Sequence, residues 1–386
     1  MQRAANNFLV RATHLCGSWR VLATIVWFVA AAAPARAATT WYVGNDGNDT
    51  FFPSCGTKVL PCRSVGQAIA MAAAGDTIIV GPGVYGDLDG SGVLGDFPGE
   101  DAATGGCNCM INVNKQLTIL SRDGAYLTVL DAGGLRGRTV DIQASQTVFG
   151  KPSKGFTMRN GGTGIGLFTD PAVQKVKVQG NVASGNATGF NISGNGAGGN
   201  SVLAADNVAI LNGVAFFLSG STNLLQRNRA LFNNEGFVVG GDAHKVTQNI
   251  AIGNSLAGFE IDVQAGALNP VADFSKNAAL ANINRGIEVV AAPGLGSNAT
   301  VVIKKNNMFG NGDSVDNCGL FINNGDASAS LTVTAKSNFW GMSTGIGVNP
   351  ADSAGGACTT TAGGTVTLDT SSPAAKELGV AQKPLK

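Results

Sequence analysis

The chain has 386 residues, 55 of them Gly, with only 13% charged side chains and a net charge of +1. That balance leaves no electrostatic footprint for nucleic acid or for an anionic membrane surface. Length alone predicts two or three globular domains, but a repeat overrides that prior, because a solenoid grows by stacking units rather than enlarging one core.

The N-terminus reads as an export signal. Arg3, Arg11 and Arg20 give a basic region, residues 21–33 are an apolar run, and Ala35-Arg36-Ala37 supplies a small-x-small cleavage pattern. The run is shorter than the roughly 20 residues that a membrane span needs. Residues 1–37 are therefore expected to be a signal peptide, with a mature secreted or periplasmic chain starting near Ala38 and no stable membrane span. Of the seven cysteines, Cys16 leaves with the signal. Cys55, Cys62, Cys107, Cys109, Cys318 and Cys358 remain, which allow fifteen pairings. The economical pairing is Cys55–Cys62, Cys107–Cys109 and Cys318–Cys358. Cys-x-x-Cys spacing is absent, so structural bridges fit better than zinc.

Residues 38–110 read as a cap and loop. TTWYVGNDGND (39–49) is a short strand and a turn. SVGQAIAMAAAG (64–75) is a helix with Ser64 as N-cap, Val65, Ala68, Ile69 and Ala72 on one face, and Gly75 as the stop. DTIIVGPGVY (76–85) is a strand broken by Gly-Pro-Gly. Residues 86–109 read as a Gly- and Asp-rich loop. From Gln116 short period-2 segments alternate with turns: QLTILS, YLTVLDA, RTVDIQA, TVFG and GFTMRN.

A repeat occupies residues 111–345. Asn-x4-Asn recurs as NVASGN (181–186), NVAILN (207–212), NRALFN (228–233), NIAIGN (249–254), NAALAN (277–282) and NNMFGN (306–311). A small residue and an apolar–variable–apolar triplet accompany each unit. The small residues are Gly164, Gly189, Ala215, Gly236, Gly258, Gly286 and Gly319. The apolar pairs are Ile165/Leu167, Phe190/Ile192, Phe216/Leu218, Phe237/Val239, Phe259/Ile261, Ile287/Val289 and Leu320/Ile322. Such a unit cannot bury its own apolar face but can do so against a copy of itself. The expected solution is all-β: a single-stranded parallel β-helix of about ten coils, with equivalent residues stacked at roughly 4.8 Å. The Asn residues are expected at turns, in left-handed conformations and bonded to the coil above or below. Residues 263–270 and 290–299 read as loops pushed out of one coil, and residues 346–386 as a C-terminal strand and polar tail.

This pattern resembles the right-handed parallel β-helix superfamily that includes pectate and pectin lyases. WYVGNDGND…PCRSVGQAIAMAAAGDTIIVGPGVY is similar to the opening of secreted β-helical carbohydrate-active proteins, in which a strand and a short helix cap the stack. Lys336-Ser337-Asn338-Phe339-Trp340-Gly341 resembles the Asn-φ-Trp-Gly signature that closes such domains. The resemblance covers residues 41–370 or so and implies the right-handed sense of the coil. It also implies action on polysaccharide. The Asn-Thr-Asp, Asp-Asp, Gly-His-Gly and Arg-Ile-Lys motifs of polygalacturonases are missing, as is the pectin methylesterase signature. Lyases of this fold use a Lys or Arg base, often with calcium. Lys175, Lys177, Arg227, Arg229, Lys245 and Arg285 are available, and Arg227-Asn228-Arg229 reads as a solvated strand end.

Counting along the repeat gives a candidate site. The middle residues of the triplets form an outward column: Gly166, Asn191, Phe217, Val238, Glu260, Glu288 and Phe321. Glu260 and Glu288 are then neighbours in successive coils, with Asp262 on the same face. Asp242 and His244 are expected at the strand end of the preceding coil, and Arg285 and Lys245 at the edges. Carboxylates this close either take up a proton or hold a cation, which suits acid/base work or calcium. Asp242-Ala243-His244 is similar, with Ala for Pro, to the Asp-Pro-His of β-helical alginate epimerases, whose His acts in C5 proton transfer. DLDGSG (87–92) resembles the start of a calcium loop, with Asp87, Asp89 and Ser91 as ligands; Pro98 stands where the twelfth-position Glu would be. The expected function is lyase-like action on, or binding of, an acidic polysaccharide by a monomer. The alternative is a non-catalytic carbohydrate-binding or cell-surface protein.

Overall fold

Residues that repeat their inward and outward choices at a fixed interval can stack in register, and the chain does so. A computed structural model describes residues 36–50, 55–91, 93–101, 107–134, 137–161, 164–195, 201–313, 317–348 and 350–380. The expected signal segment falls outside them apart from residues 36 and 37. From Ala38 onward the chain forms one unit. It is a right-handed parallel β-helix. Three sheets of 12, 9 and 10 strands, called first, second and third in the order the chain visits them, run along the stack, and each coil contributes one strand to each sheet. Among the described residues every pairing between these strands is parallel.

The first coil runs through Thr77–Val80, Gly83–Gly86 and Cys109–Val113, so the stack begins within the N-terminal region. Thr40–Val43 adds one more strand, pairing with Thr77–Val80. The helix spans Val65–Met71 and stops short of Gly75, with Ala72 already extended. Ser64 accepts the Gln67 N–H as its N-cap. At its other end the Lys115 ammonium donates to the carbonyls of Ile69, Ala70 and Ala72, where a cation offsets the helix dipole. Val65, Ala68 and Ile69 join the core. Beyond the last full coil, Ser353–Thr361 and Thr365–Asp369 extend the third and first sheets. Among the described residues no helix is long and apolar enough to cross a membrane.

The Asn residues hold the coils together. The first Asn of each Asn-x4-Asn forms one ladder, Asn181, Asn207, Asn228, Asn249, Asn277, Asn306 and Asn338. Each gives its backbone N–H to the side-chain oxygen of the next. The second Asn forms another: Asn186, Asn212, Asn233, Asn254, Asn282 and Asn311. This ladder ends on Asp352, which takes the Asn311 amide N–H at 2.8 Å. All these side chains are buried, so every amide proton must find a partner. The left-handed positions differ from expectation. They belong to the residue before each Asn, including Arg227, Gln248, Lys276, Lys305, Leu211, Phe232 and Ala281. The Asn side chain holds that corner by bonding rather than by adopting the conformation itself.

Inside, Phe190, Phe216, Phe237 and Phe259 stack face to face at 4.7 to 4.9 Å between ring centroids. The small residue before each stack is forced by the corner. A Cβ on Gly236 would lie 2.1 Å from the Gly258 carbonyl oxygen.

Candidate functional site

The outward column lies on the third sheet. Its register runs Asn112, Asp141, Phe168, Asn191, Phe217, Val238, Glu260, Glu288 and Phe321. One assignment from the repeat is corrected. Phe168, not Gly166, stands in this column, and the inward pair is Leu167/Thr169, with Gly166 aligned to Gly189 at the corner. Gly-Ile-Gly at 164–166 offers two candidate small residues, and the wrong one shifts the frame by two.

Glu260 and Glu288 are register partners in adjacent coils. Asp262 is two residues further along the same face and pairs with Val290. A fourth carboxyl, Glu235, joins them, and its neighbours include Asp262 and Glu288. Glu235 precedes the corner Gly236, and the bend turns it outward. A search for acidic residues one before each corner glycine would have found it.

The electrostatics follow from partial burial and like charge. Desolvation, then repulsion from Asp262, Glu235 and Glu288, raises Glu260 to about 8. Glu260 and Asp262 share a hydrogen bond, and burial raises Asp262 as well. Glu235 is pushed up by burial and then by its two acidic neighbours. At neutral pH Glu260 therefore keeps a proton that the neighbouring carboxyls make costly to lose. Arg285 is the cation beside them. It donates to the Glu288 carboxylate at 2.7 Å, and its guanidinium lies 3.6 Å over the Phe321 ring centroid. Its Nε is buried without a protein partner.

His244 lies elsewhere. It is fully buried at the turn into the first sheet. Its Nδ1 accepts the Asn223 N–H at 3.1 Å, and its Nε2 bonds the Gly240 carbonyl at 2.8 Å. In the preceding coil Asn223 has the equivalent role, taking the Val202 N–H and donating to Ser219. Burial lowers His244 to about 4, so it is neutral. It is a structural rung and lies outside the strip, because the turn points its ring inward. Asp242 sits at that turn, exposed and bridged to Ser221, and Lys245 is exposed on the first sheet. Arg227 is paired across coils with Asp206 at 2.8 Å, and Asn228 is a ladder rung.

The Asp87–Ser91 loop gathers a different set from the expected one. Ligand oxygens of Asp87, Asp89 and Glu100 lie within 4.8 Å of one another. The Ser91 hydroxyl turns instead to Asp96, and Gly92 lies outside the described residues. Three carboxylates are the donor chemistry that calcium takes. Here they already accept backbone N–H groups of Leu88, Gly90, Ser91 and Gly95, which also holds Asp89 below the usual carboxylate range. Among the described residues the strip carboxyls do not bring three oxygens within that distance of one another. All three expected disulfides are present: Cys55–Cys62, Cys107–Cys109 and Cys318–Cys358.

No family model matches the chain, and no curated protein matches it. Among solved structures it is similar to pectate lyase Pel9A, at 16% identity over 88% of this chain and 79% of that one, with a TM-score of 0.42. It is similar to XylC, solved in complex with xylose, at 11% identity over 78% and 69% of the two chains (TM-score 0.41). An alginate lyase from Paenibacillus sp. str. FPU-7 is 12% identical over 88% of this chain and all of that one (TM-score 0.31). The strand pairing of this chain makes it a parallel β-helix.

Proposed function

We propose that this protein acts on a uronic-acid polysaccharide by β-elimination at the outward strip of the third sheet. The observation that carries the reading is the hydrogen-bonded Glu260–Asp262 pair with Arg285 alongside. β-Elimination needs a base to take the C5 proton and an acid to protonate the leaving O4. The C5–H electron pair becomes the C4–C5 double bond as the C4–O bond breaks. In this reading protonated Glu260 gives the proton to O4 and Asp262 takes the one from C5. A cation on the sugar carboxylate makes the C5 proton more acidic. Arg285, oriented by Glu288 and Phe321, supplies that charge.

A second reading, binding without chemistry, is favoured by the Arg-on-ring platform itself, which can grip a carboxylate whether or not a bond is broken. Under either reading the three disulfides support work in an oxidising compartment, in line with export.

The test is incubation of the purified protein with a panel of uronic-acid polymers, following ultraviolet absorbance of new unsaturated ends. We expect product from at least one polymer and its loss in Glu260→Gln and Asp262→Asn. No unsaturated ends on any polymer would overturn the lyase reading. Persistent activity in both variants would move the chemistry off this strip.

A further inference from the structure

The Arg285 arrangement occurs twice. In the second coil Arg138 donates to the Asp141 carboxylate at 2.5 Å, three residues on. In the next coil of the same column Phe168 lies under the Arg138 guanidinium, 3.6 Å from its centroid. Arg285, Glu288 and Phe321 repeat each relationship: the i to i+3 ion pair, the register step to Phe, and the 3.6 Å stacking distance. Each set is also tied down by a disulfide. The Cys107–Cys109 sulfurs lie within 4.8 Å of the Asp141 carboxylate, and Phe321 packs against Cys318–Cys358. One Asp141 oxygen is buried and bonded to nothing, so the fold keeps the pair at a cost.

An Arg held flat on a ring, with one edge on an acid, has its remaining N–H groups fixed in direction. That is a preorganised fork for a planar anion. Arg138 keeps about a third of its side chain exposed, at 34%. Asp141 and Glu288 are six register steps apart, which is about 29 Å at the interstrand spacing. We infer that Arg138, Asp141 and Phe168 form a second carboxylate-binding subsite, and that one carboxylated glycan chain bridges it to Arg285 along the third sheet. This inference rests on the reading of that face as a polysaccharide site.

The bridge makes a prediction that a single site cannot. Two linked sites convert the second contact into an intramolecular one, raising affinity by about 10²-fold or more once the ligand spans both. Titration calorimetry with size-fractionated oligogalacturonates is expected to show that step only for oligomers longer than about 29 Å. Arg138→Gln paired with Asp141→Asn, which leaves no buried carboxylate unpaired, is expected to remove the step and to take away one of the two short-oligomer sites per chain. Arg138→Lys, which keeps the charge and loses the planar fork, is expected to lower the step by about tenfold. Long oligomers that bind the paired variant as tightly as the parent would overturn the inference. Binding or turnover of short oligomers without any step would overturn it while leaving the proposed activity standing. No binding at any length, with no turnover, would overturn both.

Discussion

Asn249 and Asn277 sit in successive coils, and both the backbone N–H and the side-chain amide of Asn249 donate to the same Asn277 oxygen, at 2.9 and 3.1 Å. The remaining amide proton of Asn249 goes back to the Leu225 carbonyl, and its own oxygen takes two N–H groups from Asn228. One side chain thus ties its own coil to the coils on both sides in a fully buried corner.

Asn249→Ala should therefore be costly although it removes little apolar area. It strands the Asn228 donors and the Leu225 carbonyl, at about 1–3 kcal/mol per buried group. A loss of about 2–5 kcal/mol is expected in urea unfolding. The exposed Asn234→Ala, just outside the ladder, serves as the control and should change little. Equal stability of the two variants would remove the ladder as the fold's main polar tie.

His244 separates a structural from a catalytic role. An Asn at 244 could take the Asn223 N–H and donate to Gly240, as Asn223 does one coil before. His244→Asn should fold, keep its melting temperature within a few degrees and keep any activity. In the parent the folded-state value, about 4, lies below the ordinary 6.5. Stability from the neutral ring is then complete above about 6.5 and falls as pH drops toward 4. His244→Asn should flatten that portion of the melting profile. A variant that melts normally but loses all turnover would return His244 to the chemistry.

Glu260 gives the opposite slope. Its value is raised from 4.5 to about 8, so the folded chain holds a proton there that the unfolded chain has lost. Its contribution to stability falls as pH rises from about 4.5 to 8. Glu260→Gln should flatten this alkaline-side loss. An unchanged slope in that variant would mean that the carboxyl cluster is not coupled as its geometry requires.

The Cys318–Cys358 bridge closes a span of 40 residues at the C-terminal end. Cys318→Ala with Cys358→Ala should destabilise by about 4 kcal/mol by loop-closure entropy. Because Phe321 packs on that bridge, the loss should also loosen Arg285, seen as weaker binding of short uronate oligomers. Intact binding in the unbridged variant would show that the ring needs no such support.

Some of this is written in the sequence. The Asn-x4-Asn interval sets the coil, and counting from it puts Glu260 beside Glu288. Period-2 alternation needs only the local geometry of a strand, and a repeat supplies the long-range register that a single strand lacks. The closing Asn338-Phe339-Trp340-Gly341 is legible for the same reason, since Asn338 is the last rung of a ladder.

Corners and ion pairs are not legible that way. At a corner the alternation breaks, so Glu235 turns outward and His244 turns inward, against the simple count. Gly164 and Gly166 compete for one corner, and only strand pairing chooses between them. Glu100 reaches Asp87 and Asp89 across a loop whose path no spacing rule gives. The amino-acid sequence alone determined a stacked β-helix, its Asn rungs and the adjacency of two glutamates, because identical units can satisfy their backbone and bury their faces only on one another. Only the tertiary structure decided which carboxyls crowd together and which arginines lie flat on rings. Those outcomes depend on side-chain direction and burial across coils 21 to 33 residues apart in the chain.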